Sequence, residues 1–184
     1  LDYFKKNRRV HFSSRHYELV GIETELKVDL VNNLVFKGFV DIIIRDKRDG
    51  RINIIDLKTA TRGWNKYQKK DHKKTAQLVL YKTFYAKQFG VDEDMIDVEY
   101  IILRRKINED SEWPMKRIQT FSPANGKPTR NKIGKMLQEF IDKAFNKDGT
   151  YNMDLDINIP KCKDKWCKYC RAKWQRKSLH KQLQ

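Results

Sequence analysis

Val35-Phe36-Lys37-Gly38-Phe39-Val40-Asp41-Ile42-Ile43-Ile44 is a nearly unbroken apolar run, and Ile52-Asn53-Ile54-Ile55-Asp56-Leu57-Lys58 follows it after a short charged interval. Both read as strands, and Asp49-Gly50 between them is a hairpin turn pair. A hairpin lays the two strands side by side, so that Asp41 and Asp56 approach each other near one end of a sheet. Lys58 follows Asp56 at i+2 and therefore points to the same face of its strand. Two converging carboxylates beside a fixed cation make a site for a divalent metal and for attack of water on a phosphodiester. Asp56 and Lys58 also read as a plain surface ion pair, but that leaves Asp41 unexplained.

Outward from this hairpin, the pattern stays regular. Ile22, Thr24, Leu26, Val28 and Leu30 alternate with Glu23, Glu25, Lys27 and Asp29, which is the signature of a half-buried strand. Asn32-Asn33 turns it into the next strand, giving a three-strand meander. Residues 71–89 carry a broad apolar helical face, and Gly90 is a C-terminal stop. Ile96 to Leu103 reads as a fourth strand, with Met115 to Phe121 pairing to it. A second amphipathic helix carries Ile133, Met136, Leu137, Phe140, Ile141, Ala144 and Phe145. Residues 1–16 read as a helix end with an extended lead-in.

The G-x-x-D, D-x-K and Q-x-x-x-Y series, carried by Gly38, Asp41, Asp56, Lys58, Gln77 and Tyr81, resembles the PD-(D/E)xK nuclease superfamily, in particular its RecB-like branch of phage and bacterial exonucleases. The matching region runs from Glu23 to Tyr81, with a looser match in the cysteine-bearing tail. The resemblance implies an α/β fold of the α+β type, a restriction-endonuclease-like core in which helices flank a central mixed sheet. The expected domains are a nuclease core over 1–150, its first helix short or missing, and a basic, Cys- and Trp-rich tail over 151–184 packing on the core. It further implies Mg²⁺ or Mn²⁺ held by Asp41, Asp56 and the main chain of Leu57, with Glu23 as the extra acid and Glu25 as its rival. Gln77 falls near the metal and Tyr81 near the DNA backbone. Some relatives add an upstream histidine, for which neither His11 nor His16 is assignable, being too close to the first strand.

Forty Lys and Arg against 24 Asp and Glu give a net charge of +16, which calls for a polyanionic partner, most simply nucleic acid. After the D-x-K strand come Arg62, Trp64, Lys66, Tyr67, Lys69 and Lys70, a basic segment interleaved with aromatics that suits single-stranded DNA or frayed duplex ends. Its plain alternative is a solvated loop. Cys162, Cys167 and Cys170 sit in the tail. They leave open a Zn²⁺ site completed by His180, an iron–sulfur cluster of the kind some RecB-like nucleases carry, or no metal, since the fourth cysteine of such clusters is missing. Three clustered cysteines, with neither a membrane span nor a signal peptide, point to the cytoplasm of a bacterium or phage-infected cell.

The leading expectation is a metal-dependent DNA nuclease with exonuclease character, working in recombination, repair or phage genome processing. Its rivals are an endonuclease or junction resolvase on the same core, and a catalytically silent nucleic-acid-binding module. No Walker G-x-x-x-x-G-K-[ST] occurs, so a motor function would need a helicase or recombination partner, or a fused domain upstream of Leu1.

Overall fold

The structure, a computed structural model, describes residues 2–107, 112 and 115–153. Contacts divide the chain into Leu1–Tyr151 and Asn152–Gln184, and the architecture below belongs to the first unit. The elements are α1 (Asp2–His11), β1 (Tyr17–Asp29), β2 (Val35–Asp46), β3 (Ile52–Ala60), α2 (Lys66–Lys70), α3 (His72–Phe89), β4 (Ile96–Arg104), β5 (Ile118–Phe121) and α4 (Lys127–Ala144). One mixed sheet has the order β1-β2-β3-β4-β5. All its pairings are antiparallel except β3–β4, which is parallel and therefore needs the α2–α3 crossover.

Local chemistry explains the turns. Asn32 and Asn33 both take φ of 56°, and Leu34 N–H donates to Val31 O, as a type I′ connection requires. Gly50 takes φ of 76° in the β2–β3 turn, which Asp46 N–H closes on Arg51 O. Asn65 and Gln68 form a reciprocal capping box that starts α2, and the Asp71 side chain caps α3 at Lys73 N–H.

Two apolar layers hold the sheet. On one face Leu26, Val28, Val40, Ile43, Ile54, Val98 and Tyr100 pack with Leu78, Tyr81, Phe84 and Tyr85 of α3. On the other, Ile44, Ile55, Ile101 and Ile118 form a smaller cluster joined by Phe12 and Tyr17. Central strands β3 and β4 contribute to both, so they lack alternation.

The first helix, expected to be short or missing, is the ten-residue α1 over Asp2–His11, its basic residues Arg8, Arg9 and His11 in the last turn where the helix dipole favours them. One expectation is corrected. The alternation of β1 fails at one point: Leu26 and Val28 are buried, but Ile22 is 61% exposed. A register shift between Leu19 and Gly21, and a left-handed Glu23 with φ of 48°, interrupt the period-2 pattern.

Candidate active site

Strands β2 and β3 pair through only four rungs, from Arg45↔Ile52 to Ile42↔Ile55. Beyond Ile42, β2 continues along β1 alone, while Asp56 to Ala60 of β3 continue along β4 alone. The two strands thus open as a fork. Asp41 stands at its apex, where its Oδ2 accepts the Leu57 main-chain N–H at 2.6 Å. Val40 and Ile43, three apart, both join the α3-side core, so the side-chain alternation of β2 slips at Asp41–Ile42. The matching slip in β1 falls at Glu23, which the rungs Ile22↔Ile42 and Thr24↔Val40 place across from Asp41. A non-glycine residue in the left-handed region is costly and is commonly kept at functional sites.

Asp56 and Lys58 point from β3 toward α3. Asp56 is 2% exposed, and Lys58 Nζ lies 3.1 Å from its Oδ1 and 2.8 Å from its Oδ2. Buried Oδ2 meets that ammonium as an ion pair and has no hydrogen-bond donor besides it. Burial pushes the Asp56 carboxyl above its ordinary value, with nearby Asp41 adding to the rise and Lys58 opposing it. The same ammonium donates to Gln77 Oε1 at 3.0 Å, and Gln77 Nε2 donates to the Tyr81 hydroxyl at 3.0 Å. Gln77 and Tyr81 are one helical turn apart on α3, so they present one polar edge to the fork. The result is a continuous chain from Asp56 through Lys58 and Gln77 to Tyr81.

Gly38 makes that approach sterically feasible. A Cβ there would fall 2.8 Å from Tyr81 Cε1 and 3.2 Å from its hydroxyl oxygen. The glycine three residues before Asp41 therefore admits the Tyr81 ring against β2, where Phe36 meets it edge-on at 6.3 Å between centroids.

A model of the PD-(D/E)XK nuclease superfamily matches residues 1–175. The chain belongs to the PD-(D/E)XK nuclease superfamily. None of the curated proteins matches the chain. Membership supports a hydrolytic nuclease, and nucleases of this superfamily typically use divalent metal ions such as Mg²⁺.

The residues present fit such an ion. Two carboxylates, the buried Asp56 and the nearby Asp41, share one ammonium, Lys58, and Asp56 Oδ2 has no other donor, which leaves negative charge for a cation to balance. Among the described residues, however, no three His, Cys, Asp or Glu side chains gather into one group. The site therefore offers two carboxylates and main chain, a set suited to a cation that keeps several waters. Glu23 is exposed on β1, across from Asp41. Glu25 instead pairs with Lys37 at 2.8 Å, which holds its carboxyl below the ordinary range.

The basic segment after β3 is more ordered than a loop. Lys66, Tyr67, Lys69 and Lys70 form α2, with Tyr67 72% exposed, while Arg62 is exposed just before it. Trp64 differs from the expected stacking role. Its ring packs 4.9 Å from Tyr100 and 6.4 Å from Phe121, and its main chain is pinned at both N–H and C=O by the Gln119 amide. No sequence signal ties Gln119 to Trp64, whereas the Asn65-x-x-Gln68 box that starts α2 was available. Sequence reading also missed the fork itself and the buried Lys82 on α3. Cys162, Cys167, Cys170 and His180 lie outside the described residues. No helix among the described residues is long and apolar enough to cross a membrane.

Proposed function

We propose that this PD-(D/E)XK nuclease is a Mg²⁺- or Mn²⁺-dependent deoxyribonuclease of exonuclease character, akin to the RecB-like branch, acting in recombination, repair or phage genome processing. The observation that carries this reading is the fork holding Asp41, Asp56 and Lys58 within one hydrogen-bonded and ion-paired array. Asp41, Asp56 and the main chain of Leu57 are the groups that would hold the metal, with Glu23 as a further acid from β1. A bound divalent ion supplies a Lewis acid for the scissile phosphate and acidifies water. Lys58 sets a positive charge beside the phosphoryl oxygens and orients the attacking water. Gln77 fixes where that ammonium stands, and the Tyr81 hydroxyl, which accepts from Gln77, keeps its own proton for a phosphate oxygen. DNA is favoured as the partner by the +16 charge and by the lysines of α2, the helix that follows the strand carrying Asp56 and Lys58. A helicase or recombination protein would supply the strands.

Incubating end-labelled linear DNA and covalently closed circular DNA with Mg²⁺ tests both parts. Progressive loss of label from linear DNA, with the circle intact, is the expected result. Rapid cutting of the circle would replace the exonuclease with an endonuclease or resolvase. Binding without cutting of either substrate, in Mg²⁺ or Mn²⁺, would make the chain a silent binding module.

A further inference from the structure

Away from the fork, α2 and the segment following β5 enclose a groove of about 620 Å³, within the usual range for ligand sites. Its floor is apolar, formed by Phe121, Pro123 and Ala124, and its rim carries Lys66, Lys69 and Lys70. No acidic residue lines it, and among the described residues none of the three lysines is in an ion pair. Lys69 Nζ stands 5.3 Å above the Phe121 ring, a cation–π contact that an incoming base would exchange for stacking while the ammonium moves to a phosphate. None of Asp41, Asp56, Lys58, Gln77 or Tyr81 takes part in it.

The sheet fixes where this groove stands relative to the catalytic acids. Asp56 is level with Tyr100 on β4, and Tyr100 is level with Phe121 on β5. Tyr100 and Phe121 stack with an interplanar angle of 9°, and Trp64 packs on both. Two strand spacings separate Asp56 from Phe121, on the order of 10 Å in the plane of the sheet. That distance corresponds to about three stacked nucleotides, fewer if the strand is extended. A flat apolar floor ringed by unpaired cations matches an unpaired base flanked by phosphates. It matches a duplex poorly, because paired bases do not present a free face to a protein groove.

We infer that the groove between α2 and the β5–α4 connection holds an unpaired nucleotide of the substrate strand, its base against Phe121 and Pro123 and its neighbouring phosphates on Lys66, Lys69 and Lys70. The site selects single-stranded or frayed DNA over closed duplex before any bond is cut. It builds on the nuclease reading only for the identity of the strand, since binding does not require metal or turnover.

The test is fluorescence anisotropy in EDTA with the full chain, using labelled oligo(dT) and a blunt duplex of equal length. Three variants are compared: Lys69→Ala, Ala124→Glu at an exposed position of the floor, and Phe121→Leu, which keeps an apolar side chain but removes the aromatic face. Ala124→Glu and Phe121→Leu should each weaken oligo(dT) binding about tenfold, with duplex affinity nearly unchanged. Lys69→Ala should lower the salt slope for oligo(dT) by about 0.7, one phosphate contact. Equal losses on both DNAs, or unchanged oligo(dT) affinity in folded Ala124→Glu, would overturn the inference. Absence of cleavage in Mg²⁺ would sink the nuclease reading while leaving this ratio readable.

Discussion

Asp41 occupies with its side chain the place that a main-chain rung would hold: its Oδ2 accepts the Leu57 N–H at 2.6 Å just where β2 and β3 part. One carboxylate therefore closes the ladder where the cleft between the strands opens. Because the bond goes to Leu57, the residue after Asp56, it also locks the two acids into one relative position. A half-buried N–H at a strand fork needs an acceptor, and the sheet offers it no other strand.

These two duties separate by substitution. Asp41→Asn retains an oxygen for the Leu57 N–H but removes the charge, so metal-dependent cleavage should fall by at least about a thousandfold with stability nearly unchanged, a loss comparable to removing other electrostatic groups from active sites. Asp41→Ala removes the acceptor as well and should cost an additional 1–3 kcal/mol or so, the penalty of an unsatisfied partly buried donor. Urea melts of both variants, beside cleavage assays, check this. Equal stability of the two would show that the hydrogen bond carries no weight.

Asp56 makes a pH prediction of defined sign. Its folded carboxyl is raised above the ordinary 3.8, chiefly by burial, so the folded state binds a proton more readily than the unfolded chain does. The favourable contribution is thus fully present below the ordinary value and is lost as pH rises through the raised one. At neutral pH and without metal, burying the charge is a net cost despite Lys58. Asp56→Asn should therefore stabilise the metal-free protein by about 0.5–2 kcal/mol while abolishing turnover, the usual conflict between an active site and stability. The advantage of the variant should shrink as pH falls toward 4. A constant difference between pH 4 and 7, measured by denaturant midpoints in EDTA, would contradict the burial account.

Much of this was legible from residue order, and the exceptions share a cause. The meander, the α3 face and Gly90 follow from periodicity and turn chemistry, both local properties. Asp41, Asp56 and Lys58 were visible because a tight hairpin makes two distant positions neighbours. The fork was invisible, because strand pairing that stops after four rungs leaves no trace in Ile42-Ile43-Ile44 or Ile54-Ile55. Ile22 was misplaced for the same reason, since a register shift and the left-handed Glu23 flip faces without altering composition. Trp64 read as a stacking residue because its partners Tyr100 and Phe121 are supplied by strands far along the chain.

Gly38 is predicted to be nearly irreplaceable. Alanine adds one carbon at 2.8 Å from the Tyr81 ring, closer than real Cβ contacts come, so the ring must move. Moving it pulls on Gln77 and through it on Lys58. Gly38→Ala should cost about 1–3 kcal/mol from overpacking, and it should lower turnover more than substrate affinity, because the displaced group acts on the reacting phosphate. Single-turnover kinetics with the protein in excess over DNA, at varied protein concentration, separate the two effects. Wild-type turnover together with an unchanged melting temperature would mean that Tyr81 has room the structure does not show.

Lys82 offers the last prediction, on stability alone. It is 3% exposed on α3 and donates to Asn125 Oδ1 at 2.7 Å. Burial lowers its pKa, and the adjacent Arg130 lowers it further, while Asp97, Asp94 and Glu93 pull the other way. Its proton is thus held less firmly folded than unfolded, and the cost of the buried charge fades only as pH climbs toward the ordinary lysine value. Asn125 is the hydrogen-bond acceptor that makes the charge tolerable, and it is itself fixed by donating to Pro123 O and accepting Arg130 at its main chain. Asn125→Ala should cost about 1–3 kcal/mol by stranding the ammonium. Lys82→Met, similar in length and apolar, should be neutral or stabilising, as buried charges replaced by packed apolar groups often are. In the double variant the penalty of Asn125→Ala should largely vanish, giving a coupling of roughly 1 kcal/mol or more in a double-mutant cycle. Additive effects would show that Asn125 stabilises the β5–α4 connection by itself, with no debt to the lysine beneath it.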